Sequence, residues 1–128
     1  MNAMTIAPLP VNFCRIRLEL AREPGHPEGS AEHRYELAAP LLADGRIDVE
    51  GWKAHKDNCR VVRFQPGEDH VAGHLLRRPG GSWAFHYHQG ADEAGFHFGE
   101  EQFSAGEYVS LRSGKEEHTF RVVSVEPV

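Results

Sequence analysis

Two histidines one residue apart, His86 and His88, have the spacing in this chain that most directly suggests chemistry. Because successive side chains of a strand point to opposite faces, both imidazoles lie on one face and can reach one divalent metal. Glu93 follows after a short turn, and His118 lies in the last predicted strand. Three nitrogens and one carboxylate suit zinc, iron, nickel or manganese, with positions open for water or substrate. These four residues are therefore a candidate metal site.

This segment resembles the first motif of the cupins, small β-barrels that hold a metal with two histidines, a glutamate and a third histidine. That motif runs from a glycine through five residues to His-X-His and, three or four residues later, a glutamate. Gly80, His86, His88 and Glu93 have this spacing. The second cupin motif is matched less closely, with His118 one residue late. The resemblance implies a metal-dependent enzyme or sensor that uses His86, His88, Glu93 and His118.

The aromatic residues of the same segment suggest a different site. Trp83, Phe85 and Tyr87 alternate with the two histidines and therefore occupy the opposite face of a strand. Burial of apolar area contributes about 25 cal/mol per Å², so the core competes strongly for that face. If the three rings instead border a concave cavity, they form a small-ligand pocket. If the aromatic rings face the core, the two histidines face solvent. If instead a helix covers the aromatic face from outside, the histidines face the barrel interior.

The remaining polar residues suggest weaker sites. His97 is an alternative third imidazole, which a hairpin would bring beside His86 and His88. Without a metal, His118 is predicted to be a half-buried, hydrogen-bonded imidazole. The acidic residues of the same region are predicted to form a solvated rim of turns; they are Asp92, Glu93, Glu100, Glu101 and Glu107.

The bulk composition limits the classes of function. The chain has 128 residues and a formal charge of −5, without a basic cluster, which argues against nucleic-acid binding. No apolar run approaches the roughly 20 residues of a membrane-spanning helix, and the N-terminus does not resemble a secretory signal. Cys14 and Cys59 are far apart and are expected to be reduced thiols in the cytoplasm. We therefore predict a cytoplasmic protein with neither nucleic acid nor membrane as partner.

Short alternating segments separated by turn residues predict an all-β fold, a mostly antiparallel small barrel or sandwich. One short α-helix is predicted around residues 49–56, with Asp48 as its cap and Trp52 as the side chain that docks it. Residues 1–10 are predicted to be a flexible tail, and residues 11–128 a single β-barrel domain. Strands are predicted at 14–20, 34–39, 60–64, 71–77, 82–88, 96–98, 106–112 and 117–125, with a break at 90–95.

The C-terminal run FSAGEYVSLRSGKEEHTFRVVSVEPV, with SWAFHY before it, also resembles small bacterial β-barrel proteins of unassigned function. That resemblance implies an all-β domain and supplies no activity. The leading hypothesis is a non-catalytic binding or interaction module, with an unknown protein partner or self-association through an exposed sheet edge. The competing hypotheses are the cupin-like metal-dependent protein and the small-ligand-binding barrel.

Overall fold

The computed structural model describes residues 9–96 and 98–128. In these residues the chain forms eight β-strands, one α-helix and one 3-10 helix. The strands are β1 (Phe13–Leu20), β2 (Ser30–Pro40), β3 (Arg60–Phe64), β4 (Val71–Arg77), β5 (Trp83–Tyr87), β6 (Glu93–Phe96), β7 (Tyr108–Ser113) and β8 (Glu116–Pro127). The α-helix α1 (Val49–Ala54) and the 3-10 helix (Lys56–Asn58) both lie between β2 and β3.

The strands close into a barrel in sequence order. Each strand pairs antiparallel with the next, and β8 pairs antiparallel with β1. This confirms the prediction of a mostly antiparallel small barrel with one short helix, and it decides between barrel and sandwich. Because every described strand has a neighbour on both sides, the exposed sheet edge on which the predicted self-association depends is absent from the described residues.

The antiparallel order gives the barrel two different ends. One end carries the connection from β2 to β3, which contains α1, and the connection from β6 to β7. Buried apolar side chains from these two connections seal this end; they are Leu41, Ile47, Trp52, Phe98 and Phe103. The opposite end carries the β1–β2 loop and the β3–β4, β5–β6 and β7–β8 turns, and it is the open end.

The helix α1 is fixed as the sequence predicts. The Asp48 carboxylate accepts a hydrogen bond of 3.1 Å from the Gly51 N–H, and this contact lowers the pKa of Asp48. The Trp52 indole donates to the Leu75 carbonyl at 2.9 Å, and its ring lies edge-on to Trp83 at 5.2 Å. Both the cap and the docking tryptophan are therefore confirmed, although the helix ends at Ala54, before the predicted residue 56.

Strand β6 occupies a segment where a break was predicted, so that prediction is wrong. Glu93 pairs with Phe85 of β5, and Gly95 pairs with Trp83 of β5 and with Leu111 of β7. A Cβ atom at Gly95 would lie 2.4 Å from the Phe98 ring, so glycine is required for that ring to pack. The pairing on both sides overrides the weak strand propensity of glutamate, alanine and glycine here.

The last strand changes its register partway along. Opposite Arg17 and Leu18 of β1 stand Ser124 and Val122, so Val123 is an extra residue without a partner. The change of apolar parity at Val123 predicts either a bulge or a strand buried on both sides, and the register shift shows the bulge.

The inner face of β5 belongs to the core. Trp83, Phe85 and Tyr87 are all buried inside the barrel, with at most 2% of their surface exposed.

Residues 1–8 of the predicted flexible tail lie outside the described residues. The described part of the chain has no helix with the length and apolar character that crossing a bilayer requires.

Candidate ligand-binding site

The residues predicted to bind metal lie on different sides of the barrel wall. His86 is exposed on the outer face of β5, and His88, one residue after the end of the strand, is also exposed. His86 Nδ1 contacts an Asp92 carboxylate oxygen at 2.8 Å, and the His88 ring lies 5.4 Å from the ring of His74. Glu93 is inside the barrel and only 4% exposed. The wall of the barrel therefore separates the two histidines from the glutamate.

The fourth predicted ligand, His118, lies at the open end. Its Nδ1 is 2.9 Å from Glu23, and its Nε2 is 3.3 Å from Glu116. The four predicted ligands thus do not converge, and the described residues contain no group of three or more His, Cys, Asp or Glu arranged to hold a metal. The alternative third imidazole, His97, lies outside the described residues.

Glu93 forms the centre of a polar cluster inside the barrel. The Tyr35 hydroxyl of β2 donates to both carboxylate oxygens, at 2.9 and 3.0 Å, and the Tyr87 hydroxyl of β5 donates to Oε1 at 2.5 Å. Both tyrosines are almost completely buried. Glu93 was predicted to lie on a solvated rim. That prediction is wrong, because pairing with Phe85 turns its side chain toward the barrel interior.

The two tyrosines keep their protons. Burial, followed by the charge of Glu93, raises the pKa of the Tyr35 hydroxyl far above its ordinary value, and the same causes act on Tyr87. Both hydroxyls are therefore protonated donors at neutral pH. The Glu93 carboxylate therefore accepts one proton from each hydroxyl, and the Tyr35 proton is shared between its two oxygens.

Arg63 completes the cluster from β3. Its Nη1 lies 3.5 Å from Glu93 Oε2, and its guanidinium lies over the Tyr87 ring, 4.9 Å from the centroid. The side chain is 20% exposed. The Arg63 side chain makes no hydrogen bond to another described residue, and its Nε is buried without a partner. The guanidinium thus has one carboxylate beside it and one buried N–H without an acceptor.

A cleft of about 330 Å³ opens at this end of the barrel and includes Glu93 and Arg63 in its lining. Its volume is within the range of small-molecule pockets. One part of the lining is apolar and comes from β1, β7 and β8, namely Leu20, Leu111 and Phe120. The rest is polar and comes largely from the ends of β2 and β3 and from the loops, including His26, His33, Arg34, Gln65 and Ser113.

The rim of the cleft is held by His118. Both carboxylate groups that it contacts are hydrogen-bond acceptors, so the geometry suits an imidazolium with a proton on each nitrogen. The hydrogen bond to Glu23 is the main cause that raises the pKa of His118, and Glu116 adds to it. His118 therefore links the β1–β2 loop, which carries Glu23, to the start of β8.

The three aromatic residues that were predicted to form a ligand pocket lie elsewhere in the barrel. Trp83 packs on Trp52 near the sealed end, and Phe85 packs on Tyr35 at 5.4 Å. None of the three predicted residues lines the cleft, although the Tyr87 hydroxyl supports its floor through Glu93. No motif in the sequence indicated Arg63 or Tyr35 as site residues. The available signal was the alternation RVVRF, which places Arg63 on the same inward face as the buried Val61.

Comparisons of this chain with protein-family models, with curated proteins and with solved structures find no match.

Proposed function

We propose that this protein binds a small molecule in the cleft at the open end of the barrel. The observation that carries the proposal is the cluster at the cleft floor, where Glu93 is 96% withdrawn from solvent beside a guanidinium and two tyrosine hydroxyls. Burying a carboxylate and a guanidinium costs several kcal/mol per ion, so such a pair is weak as a device for stability. Strongly desolvated charged groups in a cleft are typical of functional sites.

The position of the cleft also supports binding. The other barrel end is filled by buried apolar side chains, whereas this end exposes both an apolar lining and a polar lining to one space. Binding pockets of this kind combine apolar surface with a few placed polar groups. Of the three hypotheses from the sequence, the small-ligand-binding barrel therefore fits the geometry best, with the cleft in place of the aromatic pocket. We include a cytoplasmic location in the proposal, because Cys14 and Cys59 are free thiols.

The test is a screen of a fragment library that contains cationic, neutral and anionic compounds. Binding is followed by backbone amide NMR shifts of the protein. We expect shifts at Leu20, Leu111 and Phe120. No shifts with any fragment, or shifts confined to the sealed end, would overturn the proposal.

A matched pair of variants locates the binding. Ser113 lines the rim of the cleft, whereas Lys115 is exposed in the same turn and does not line it. Ser113→Trp should weaken the binding of any fragment found, because the indole occupies cleft volume. Lys115→Trp should leave the affinity unchanged. Equal effects of the two substitutions would place the fragment outside the cleft.

A further inference from the structure

We infer that the ligand of this cleft is an organic monocarboxylate with an apolar body, whose carboxylate binds the guanidinium of Arg63. This inference rests on the proposed function, since it names the ligand class of the same cleft. Its basis is the balance of free donors and free acceptors in the lining.

Each acidic side chain of the lining already has hydrogen-bond donors beside it. Glu93 accepts from the hydroxyls of Tyr35 and Tyr87 and lies beside the Arg63 guanidinium. Glu23 and Glu116 both contact the imidazole of His118. A cationic ligand would have to compete with these existing donors for each carboxylate.

The N–H donors of the Arg63 guanidinium, by contrast, have no hydrogen-bond acceptor among the described residues. The Nε is buried without a partner, and the one ion pair of this side chain within the described part of the chain joins Nη1 to Glu93 Oε2 at 3.5 Å. A guanidinium presents a planar fork of N–H groups that matches two oxygens of one carboxylate. A buried N–H without an acceptor is costly, and a ligand oxygen that supplies the acceptor recovers that cost on binding.

The charge and shape of the lining narrow the ligand further. The three carboxylate side chains of Glu23, Glu93 and Glu116 repel a second negative charge, which favours a carboxylate over a phosphate dianion. Leu20, Leu111 and Phe120 offer apolar surface for the rest of the molecule. The cleft volume of about 330 Å³ limits that body to a short alkyl chain or a single ring.

The test on the unmodified protein compares compounds of one shape and different charge by titration calorimetry. The probes are hexanoate and phenylacetate, their amides hexanamide and phenylacetamide, hexylamine, and inorganic phosphate. We expect the carboxylates to bind at least about 10-fold more tightly than their amides, because charge-assisted hydrogen bonds are the stronger ones. We expect phosphate and hexylamine to bind weakest.

Arg77 supplies a matched control for a substitution at Arg63. Both arginines have a buried Nε without a partner and lie over an aromatic ring, but Arg77 lies over Trp83 and does not line the cleft. Arg63→Gln should lower the carboxylate affinity about 10- to 100-fold and affect the amides little. Arg77→Gln should leave both unchanged. If Arg63→Gln does not fold, the comparison of carboxylate with amide on the unmodified protein still decides the inference.

The possible outcomes separate the two proposals. Binding of amides or hexylamine in the cleft with no preference for carboxylates would overturn the carboxylate inference and leave the proposed function standing. Preferential binding of phosphate would overturn the monocarboxylate assignment. Failure of every probe here, together with failure of the whole fragment library, would overturn both.

Discussion

Arg63 and Glu93 face each other inside the barrel from β3 and β6, with 3.5 Å between Nη1 and Oε2. The two strands are not neighbours in the barrel, so the pair spans the interior. The Tyr35 and Tyr87 hydroxyls contact the same carboxylate. The floor of the cleft is therefore one cooperative polar unit.

We predict that Glu93→Gln lowers the free energy of unfolding by about 3 kcal/mol, because it leaves the buried Arg63 cation without a compensating charge. Urea unfolding of Glu93→Gln, Arg63→Met and the double variant measures this. The double variant should be less destabilised than the sum of the single variants by about 1 kcal/mol or more. Strict additivity would show that the two side chains do not interact. Asp92→Asn, a change in the neighbouring surface ion pair, should cost less than about 1 kcal/mol.

His118 should make the stability depend on pH. Its folded pKa is raised by Glu23, so the contact stabilises the protein below the unfolded-state pKa of about 6.5. That contribution is lost as the pH rises through the folded pKa. His118→Gln should therefore destabilise the protein more at pH 6 than at pH 8.5, measured by urea unfolding at each pH. His88→Gln, at an exposed site, is the control. A larger effect at pH 8.5 would contradict the prediction.

Gly73 permits a close approach between β4 and β5. A Cβ atom there would lie 2.2 Å from the carbonyl oxygen of His86, which belongs to the backbone and cannot move aside cheaply. Gly73→Ala should therefore cost about 2 kcal/mol or more of unfolding free energy, measured by thermal or urea unfolding. Gly99→Ala is the control, because its Cβ would have its nearest contact at 3.8 Å, with Trp83 Nε1. Similar costs at both positions would refute the steric explanation.

The placement of the histidines also predicts the behaviour of metals. Since His86 and His88 lie outside the barrel and Glu93 inside it, these three side chains cannot share one ion. The protein is incubated with zinc, iron, nickel or manganese, and its metal content is compared with that of three variants: His86→Ala/His88→Ala, Glu93→Gln and His118→Ala. We expect that the three variants do not all lose one near-stoichiometric metal ion. Mass spectrometry of the untagged protein measures the content. Equal loss in all three variants would contradict this arrangement.

The fold was predictable because its signals are local. The strands of residues 60–64 and 71–77 coincide with β3 and β4, and the cap at Asp48 and the anchor at Trp52 depend on neighbours in sequence or on a single apolar face. Strand β6 was missed because its residues have turn propensity and only pairing with β5 and β7 makes them extended.

The site was not predictable to the same degree. Glu93 is brought to Tyr35 and Arg63 by barrel closure, and no spacing along the chain reports that contact. The motif His-X-His predicted a metal site because its spacing is local. The aromatic residues between and before those histidines are the ones buried inside the barrel, so the histidines face outward. The inward arginine at position 63, on the same face as Val61, was a local sign of a buried charge in the cleft.

The pairing of β1 with β8 also governs when the site comes into existence. Leu20 lies near the start of the chain, whereas Phe120 and His118 lie in the last strand, and all three border the cleft. Contacts between such distant parts of a chain carry a large loop-closure cost and form late in folding. During synthesis on the ribosome, the cleft therefore cannot form until β8 has left the exit tunnel, and nascent chains that lack β8 have no ligand site to stabilise them.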